Sequence, residues 1–239
     1  MPPLADDMLT VQEAAVVTGV GVRAVNDAID SHVIPEGLFA TDNGRRIAPE
    51  GCVVVTFYNT MQATLTRDFR IDVIRKLSGY LVANTQVART STRRNPKLHA
   101  RRWSSSMTHL LRHKHKLVIV DSAGGLSVDL QPFARKVKDA AADLEAAVAM
   151  VTEDEAVMSG MPCIRDTRIP VHDVAASVRA GLPMSEILEA YPDLTEREVE
   201  LAELYSRAHP ARGRPRRAEE AWPDARLRFE KAVPRGRPV

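Results

Sequence analysis

Apolar positions recur at helical spacing over most of the chain, interrupted by short β-rich runs that flank turn signals. Residues 9–30 read as two short helices about a glycine turn. Thr10 and Glu13 form a T-x-x-E capping box, and the first helix runs through Ala14, Ala15 and Val17 until Gly19 and Gly21 break it. In the second helix Val22, Val25 and Ile29 share one face. The stretch GLFATDNGRRIAP then places short apolar runs on either side of Asp42-Asn43-Gly44, a strong hairpin-turn signal. Two helices and a two-stranded wing predict a winged helix-turn-helix over residues 1–65.

A helix is predicted from Thr66 to Leu81, with Phe69, Val73, Ile74 and Leu77 on its buried side. The polar, basic segment TSTRRNPKLHARRWSSS, broken by Pro96, reads as a loop or linker within 66–116. KLVIVDSAGGLSVDL gives a second hairpin about Gly124-Gly125. After Pro132 a long helix is predicted, with Val137, Ala141, Leu144 and Val148 on one stripe. Three shorter helices follow: Val171 to Ala180, ended by Gly181; Ser185 to Ala190, stopped by Pro192; and one opened by the Thr195–Glu198 capping box, with Val199, Leu201, Ala202 and Tyr205 on its apolar side. Residues 117–209 thus read as hairpin, long helix and three-helix unit. From Pro210 the chain is proline-rich with little apolar periodicity, so 210–239 is expected to be disordered without a partner. The fold class is mostly α with short β-hairpins: an N-terminal winged helix-turn-helix and a C-terminal three-helix domain preceded by hairpins.

Composition adds little by itself. Of 239 residues 44% are hydrophobic and 27% charged, which suits a globular protein, and no apolar run approaches a membrane span. The start, MPPLADDMLT, lacks the basic and apolar regions of a secretory signal, and two cysteines, Cys52 and Cys163, are too few for a disulfide framework. A cytoplasmic protein with no membrane partner is expected. The net charge of +2 is a cancellation among blocks: −5 over 1–66, +11 over 67–116, −9 over 117–209 and +5 over 210–239.

In a helix-turn-helix the second helix offers outward side chains to a major groove while nearby basic groups hold phosphates. Here those candidates are Arg23, Asn26 and Asp27, with Arg45 and Arg46 from the wing. The alternative is a helical hairpin used only for packing. An acidic block predicts modest affinity per monomer, and so a homodimer. The basic run with Arg89, Arg93, Arg94, Lys97, Arg101 and Arg102 near Trp103 could meet nucleic acid or form a solvated loop. His109 and His113 stand at i, i+4, but HLLRHKHK has no carboxylate or cysteine to complete a metal site, and its cations would repel one. No metal and no cofactor are expected. Glu153, Asp154 and Glu155 are consecutive and read as a solvated turn, and the chain lacks nucleophile-elbow, phosphate-loop and H-E-x-x-H motifs, so it is not expected to be an enzyme.

Residues 159–205, about a fifth of the chain, resemble a bacterial domain-of-unknown-function family marked by G-x-P-x-I-x-G-T-R-I-P-V and a later E-I-L-x-x-Y-P-x-L-T stretch. Gly160, Pro162, Ile164, Thr167, Arg168, Ile169, Pro170 and Val171 match the first motif, Gly181 the glycine that ends the following helix, and Ile187, Leu188, Tyr191, Pro192, Leu194 and Thr195 the second. Asp166 stands where the family has glycine. The motif itself reads as structural: Arg168 bonding the turn, Ile169 and Val171 in the core. The resemblance implies an antitoxin of the VapB type with a MerR-like head, paired with a toxin of the PIN ribonuclease fold encoded nearby and repressing its own operator DNA. Such toxins hold a divalent metal among carboxylates. The tail would then supply Trp222, Leu227 and Phe229 as apolar anchors and Arg226, Arg228, Arg235 and Arg237 as partners for those carboxylates, the alternative being an idle basic tail or one folded onto the acidic block at 117–209. The alternatives are a stand-alone MerR-like regulator without a toxin and, from a different class, a metal-dependent nuclease using His109 and His113.

Overall fold

A computed structural model describes residues 8–42, 44–94, 102–112, 118–120 and 127–211. The described chain is mostly helical, with small antiparallel sheets. Strand β1 (Leu9–Thr10) leads into α1 (Val11–Thr18), and Thr10 caps it as expected: its Oγ1 accepts from Glu13 N at 3.2 Å while Glu13 Oε2 accepts from Thr10 N at 2.6 Å. Gly19 closes α1 in the left-handed conformation (φ 72°), where a side chain would be strained. Helix α2 (Val22–Asp30) buries Val25, Ala28 and Ile29. Strands β2 (Phe39–Ala40) and β3 (Arg46–Ile47) form the hairpin, with Phe39 opposite Ile47. Strand β1 adds to the other edge of β3, so the sheet has order β1-β3-β2.

Helix α3 (Pro49–Thr60) follows, an element with no amphipathic signature. Every residue from Pro49 to Phe57 is buried, so polar positions never mark an outer face. Its entry is tight. A Cβ on Gly51 would lie 2.7 Å from Ile47 Cγ2 and 3.1 Å from the Leu38 carbonyl oxygen, so only glycine lets α3 approach the hairpin this closely.

Helix α4 runs Arg67–Arg94, well past the predicted end at Leu81, and α5 spans Arg102–Arg112. The loop expected over 90–106 is thus corrected on both sides. Two buried carboxylates explain the second half. Glu145 receives the backbone N–H groups of Trp103 (2.6 Å) and Ser104 (3.0 Å) and the Ser104 hydroxyl (2.6 Å), capping α5 from another element. Glu50 in turn accepts from the Ser106 hydroxyl and from Asn84 Nδ2 (2.7 Å).

Strands β4 (Val118–Val120) and β5 (Ser127–Asp129) pair as predicted, and α6 (Gln131–Met150) follows. Val137, Ala141 and Leu144 are fully buried; Val148, expected on the same stripe, is 39% exposed because the stripe drifts around the helix. Strands β6 (Val151–Thr152) and β7 (Cys163–Ile164) pair antiparallel, then α7 (Val171–Arg179), α8 (Met184–Ala190) and α9 (Glu196–Ala208) close the chain. The Thr195–Glu198 capping box is formed, and Val199, Leu201, Ala202 and Tyr205 are all buried. One core joins α1–α6 and Ala208, and a second joins the end of α6 to α7–α9. Helix α9 returns to α1, where His209 Nε2 lies 3.5 Å from Glu13 Oε1. No helix among the described residues is long and apolar enough to cross a membrane.

Candidate functional site

The outer face of α2 collects the candidate nucleic-acid residues because its inner face is taken by Val25, Ala28 and Ile29. Arg23 and Asp27 lie one turn apart with 3.8 Å between Nε and Oδ2, and both side chains are highly exposed. Asn26 is partly buried. Arg45 reaches across from the hairpin. Its Nη1 donates to Asn26 Oδ1 (2.9 Å) and Asp30 Oδ2 (3.0 Å), and its Nη2 to Asp30 Oδ1 (2.7 Å), while Asn26 Nδ2 donates back to the Val22 carbonyl (3.2 Å). Arg23, Asn26, Asp27 and Asp30 of α2 and Arg45 of the hairpin, five residues in all, therefore lie on one surface. Arg46 sits half-buried on β3, opposite Thr10 and Ala40. Asp30 is the member that sequence reasoning missed. It lies fifteen residues from Arg45, and nothing in local spacing links an acid late in one helix to a base beyond a turn.

The basic block behaves differently from its expectation. Trp103 is 3% exposed, packed in the main core beside Met107 and Leu110, so its ring is not available for base stacking. Placement of Arg89, Arg93, Arg94, Lys97, Arg101 and Arg102 side chains lies outside the described residues, as does His113. His109 Nδ1 stands 2.6 Å from Asn84 Oδ1, which joins it to the buried Glu50 network. Trp222, Arg226, Leu227, Arg228, Phe229, Arg235 and Arg237 all lie outside the described residues.

In the signature loop the backbone is wound tightly. Ile164 N donates to Ile169 O (2.9 Å), Thr167 N to Ile164 O (3.1 Å), and Val171 N to Pro162 O (3.0 Å). Thr167 does the bonding expected of Arg168: its hydroxyl donates to Ile164 O (2.7 Å) and accepts from Ile169 N (3.1 Å). Arg168 is exposed and makes no hydrogen bond or ion pair among the described residues, so its expected place in the turn is corrected. Ile169 is partly buried and Val171 fully, as expected for core positions. Pro170 stands at the N-cap of α7. Gly160 (φ 77°) and Asp166 (φ 61°) are both left-handed, which explains why glycine is the family's residue at 166. Aspartate is among the few side chains that tolerate this region.

Beside the loop lies an open cavity of about 430 Å³ with Asp154, Cys163, Asp166, Thr167 and Arg168 in its wall. Burial, reinforced by the Asp173 charge, pushes the Cys163 thiol up, so it stays protonated at neutral pH and is a weak nucleophile. Across the unit, Tyr205 stacks 4.7 Å from His209 and its hydroxyl donates to Glu153 Oε1 at 3.4 Å. Burial and the Glu153 charge push Tyr205 up to about 12. His172 Nδ1 contacts the Ser206 hydroxyl at 3.0 Å, and burial, then the Arg179 charge, hold its imidazole below the ordinary range.

Residues 151–205 match the family described as "Protein of unknown function (DUF433)". The chain is 37% identical over 216 residues to the uncharacterized protein y4eO of Sinorhizobium fredii (strain NBRC 101917 / NGR234), covering 90% of this chain and 87% of that one. A solved structure, Rv2018 from Mycobacterium tuberculosis, aligns over 84% of this chain and 98% of its own at 15% identity with a TM-score of 0.33, too slight a likeness to support an argument.

Proposed function

The chain belongs to the family of the Sinorhizobium fredii protein y4eO and carries a DUF433 unit, and from that premise we propose that it is an antitoxin of the VapB type, neutralising a PIN-fold ribonuclease toxin by direct binding and repressing its own operon. The observation that carries this reading is the shared exposed face of α2 and the hairpin, where Arg23, Asn26, Asp27 and Arg45 converge. A convex helix face flanked by a hairpin has the shape that enters a major groove. It also explains why polar groups are gathered there while the opposite face of α2 packs into the core.

The N-terminal helices and the DUF433 unit meet through α9 and α1, with His209 against Glu13. Residues 212–239 make up the basic tail of the sequence. It carries Arg226, Arg228, Arg235 and Arg237 with Trp222, Leu227 and Phe229, chemistry suited to a carboxylate-lined groove of a metal-dependent ribonuclease. The protein acts as a homodimer in this reading, since a single acidic head neutralises few phosphates and two copies double the contacts. Its role is binding, with no catalysis, no cofactor and no metal of its own.

The test is co-expression with the product of the adjoining reading frame in a growth assay. Full-length chain should rescue growth, and deletion of residues 210–239 should abolish rescue while leaving DNA binding intact. Undiminished rescue by the truncated chain would remove the tail from the mechanism. DNA binding without any rescue would reassign the protein as a stand-alone MerR-like regulator.

A further inference from the structure

Arg45 has five N–H groups, and three of them are used inside the protein: two on Nη1, by Asn26 and Asp30, and one on Nη2, by Asp30. Those three point away from the Nε edge. The two that remain, on Nε and Nη2, form the side-on fork of the guanidinium. This fork has no partner among the described residues, and the side chain is 39% exposed. Bidentate contact with Asp30 also fixes the plane of the group, and Asn26, held by the Val22 carbonyl, fixes its tilt. A flexible arginine has thereby become an oriented two-pronged donor.

Two kinds of acceptor pair fit such a fork: phosphate oxygens, and the O6/N7 edge of guanine. The surrounding charge separates them. A carboxylate 2.7 Å from Nη2 offsets the arginine's charge, while Asp27 on the same helix is paired with Arg23. Phosphate brought to this fork would meet a guanidinium already neutralised by Asp30 and a carboxylate close by, whereas a guanine edge carries no charge to be repelled. We propose that Arg45 is a guanine-reading residue and that Asp30 is its positioning residue, holding the fork in register with the major groove. This rests on the nucleic-acid reading of the α2 face. It reassigns Asn26 from base reader to brace.

The experiment is selection of full-length protein on a pool of randomised duplex DNA, followed by titration of the selected duplex and its single-site variants over a salt series. Wild type should show a G·C preference of about 5- to 150-fold at one position per half-site, the range for one bidentate base contact. Arg45→Lys keeps the charge but loses the fork, and should lose that preference with the salt slope unchanged. Asp30→Ala should weaken the same preference several-fold and steepen the slope by about 0.9, as the released arginine takes a phosphate. The inference is overturned if Arg45→Ala lowers the slope by about 0.9 while base preferences persist, which is the signature of a phosphate contact, or if Asp30→Ala changes neither quantity. If wild type selects no sequence at all, the DNA-reading role falls and this assignment falls with it.

Discussion

Glu145→Ala should be among the most damaging single changes in the described chain, because one buried side chain substitutes for the missing start of a helix. Glu145 is 9% exposed and accepts three hydrogen bonds, from Trp103 N, Ser104 N and Ser104 Oγ. Truncation leaves two backbone donors and a hydroxyl without partners in a site closed to bulk water, at about 1–3 kcal/mol for each unsatisfied group. Relief of the carboxylate's own desolvation and entry of a water offset part of this, leaving a net loss of about 3 kcal/mol. Glu145→Gln keeps one oxygen for both N–H groups and turns its amide toward the Ser104 oxygen. It loses only charge assistance and the interaction with the start of α5, about 1 kcal/mol. Urea unfolding followed by far-ultraviolet dichroism reads both values. Tryptophan emission, in a Trp222→Phe background, reports whether Trp103 has become hydrated. Equal losses for the two variants would refute the hydrogen-bond account, and an alanine variant within about 0.5 kcal/mol of wild type would refute the cap altogether.

Gly51→Ala should destabilise by about 1–2 kcal/mol, since the new methyl meets Ile47 Cγ2 and the Leu38 carbonyl and the overpacking outweighs alanine's helix propensity; an unshifted thermal melt would contradict this. His172 should make the fold acid-sensitive. Its folded-state pKa lies below the ordinary value of about 6.5, so the unfolded chain binds the proton first, and stability present above that value is lost as pH falls below it. In His172→Gln the difference in unfolding free energy between pH 7.5 and 5.5 should shrink, and an unchanged difference would place the acid sensitivity elsewhere.

What was legible in the chain is what local chemistry encodes. Two capping boxes, the hairpin at Asp42–Gly44, and the helices of the C-terminal unit depend on residues three or four apart, and all stand where spacing puts them. Helix α3 was illegible for a physical reason: its run of Cys52 to Phe57 is buried on every side, and amphipathic contrast vanishes where there is no solvent face. Helix α5 was hidden because its stability is borrowed. Serines at 104 and 106 look like linker composition until Glu145 and Glu50, more than forty residues away, satisfy them. The Asp30 partner of Arg45 belongs to the same class. Position 166 shows the converse, a departure from a glycine pattern that the structure makes intelligible, because aspartate occupies the left-handed turn that glycine would otherwise fill.

Charge summed by blocks overstates what a surface offers, and the +11 block shows why. Arg70 is buried, its guanidinium 4.1 Å above the Tyr58 ring and donating to the Tyr58 carbonyl, where it anchors α4 to α3. Arg75 and Lys76 both lean on Asp72, within 3.7 Å and 2.9 Å. Arg70 is thus used inside the protein, and the charges of Arg75 and Lys76 are partly offset by Asp72. Conversely the N-terminal block, net −5, carries an oriented arginine fork whose neighbouring acids give it direction. A carboxylate that cancels a charge in the sum can be the group that makes the charge selective. If the proposed nucleic-acid reading holds, the sign of a block is a weaker guide to contact than the hydrogen bonds each arginine has already made.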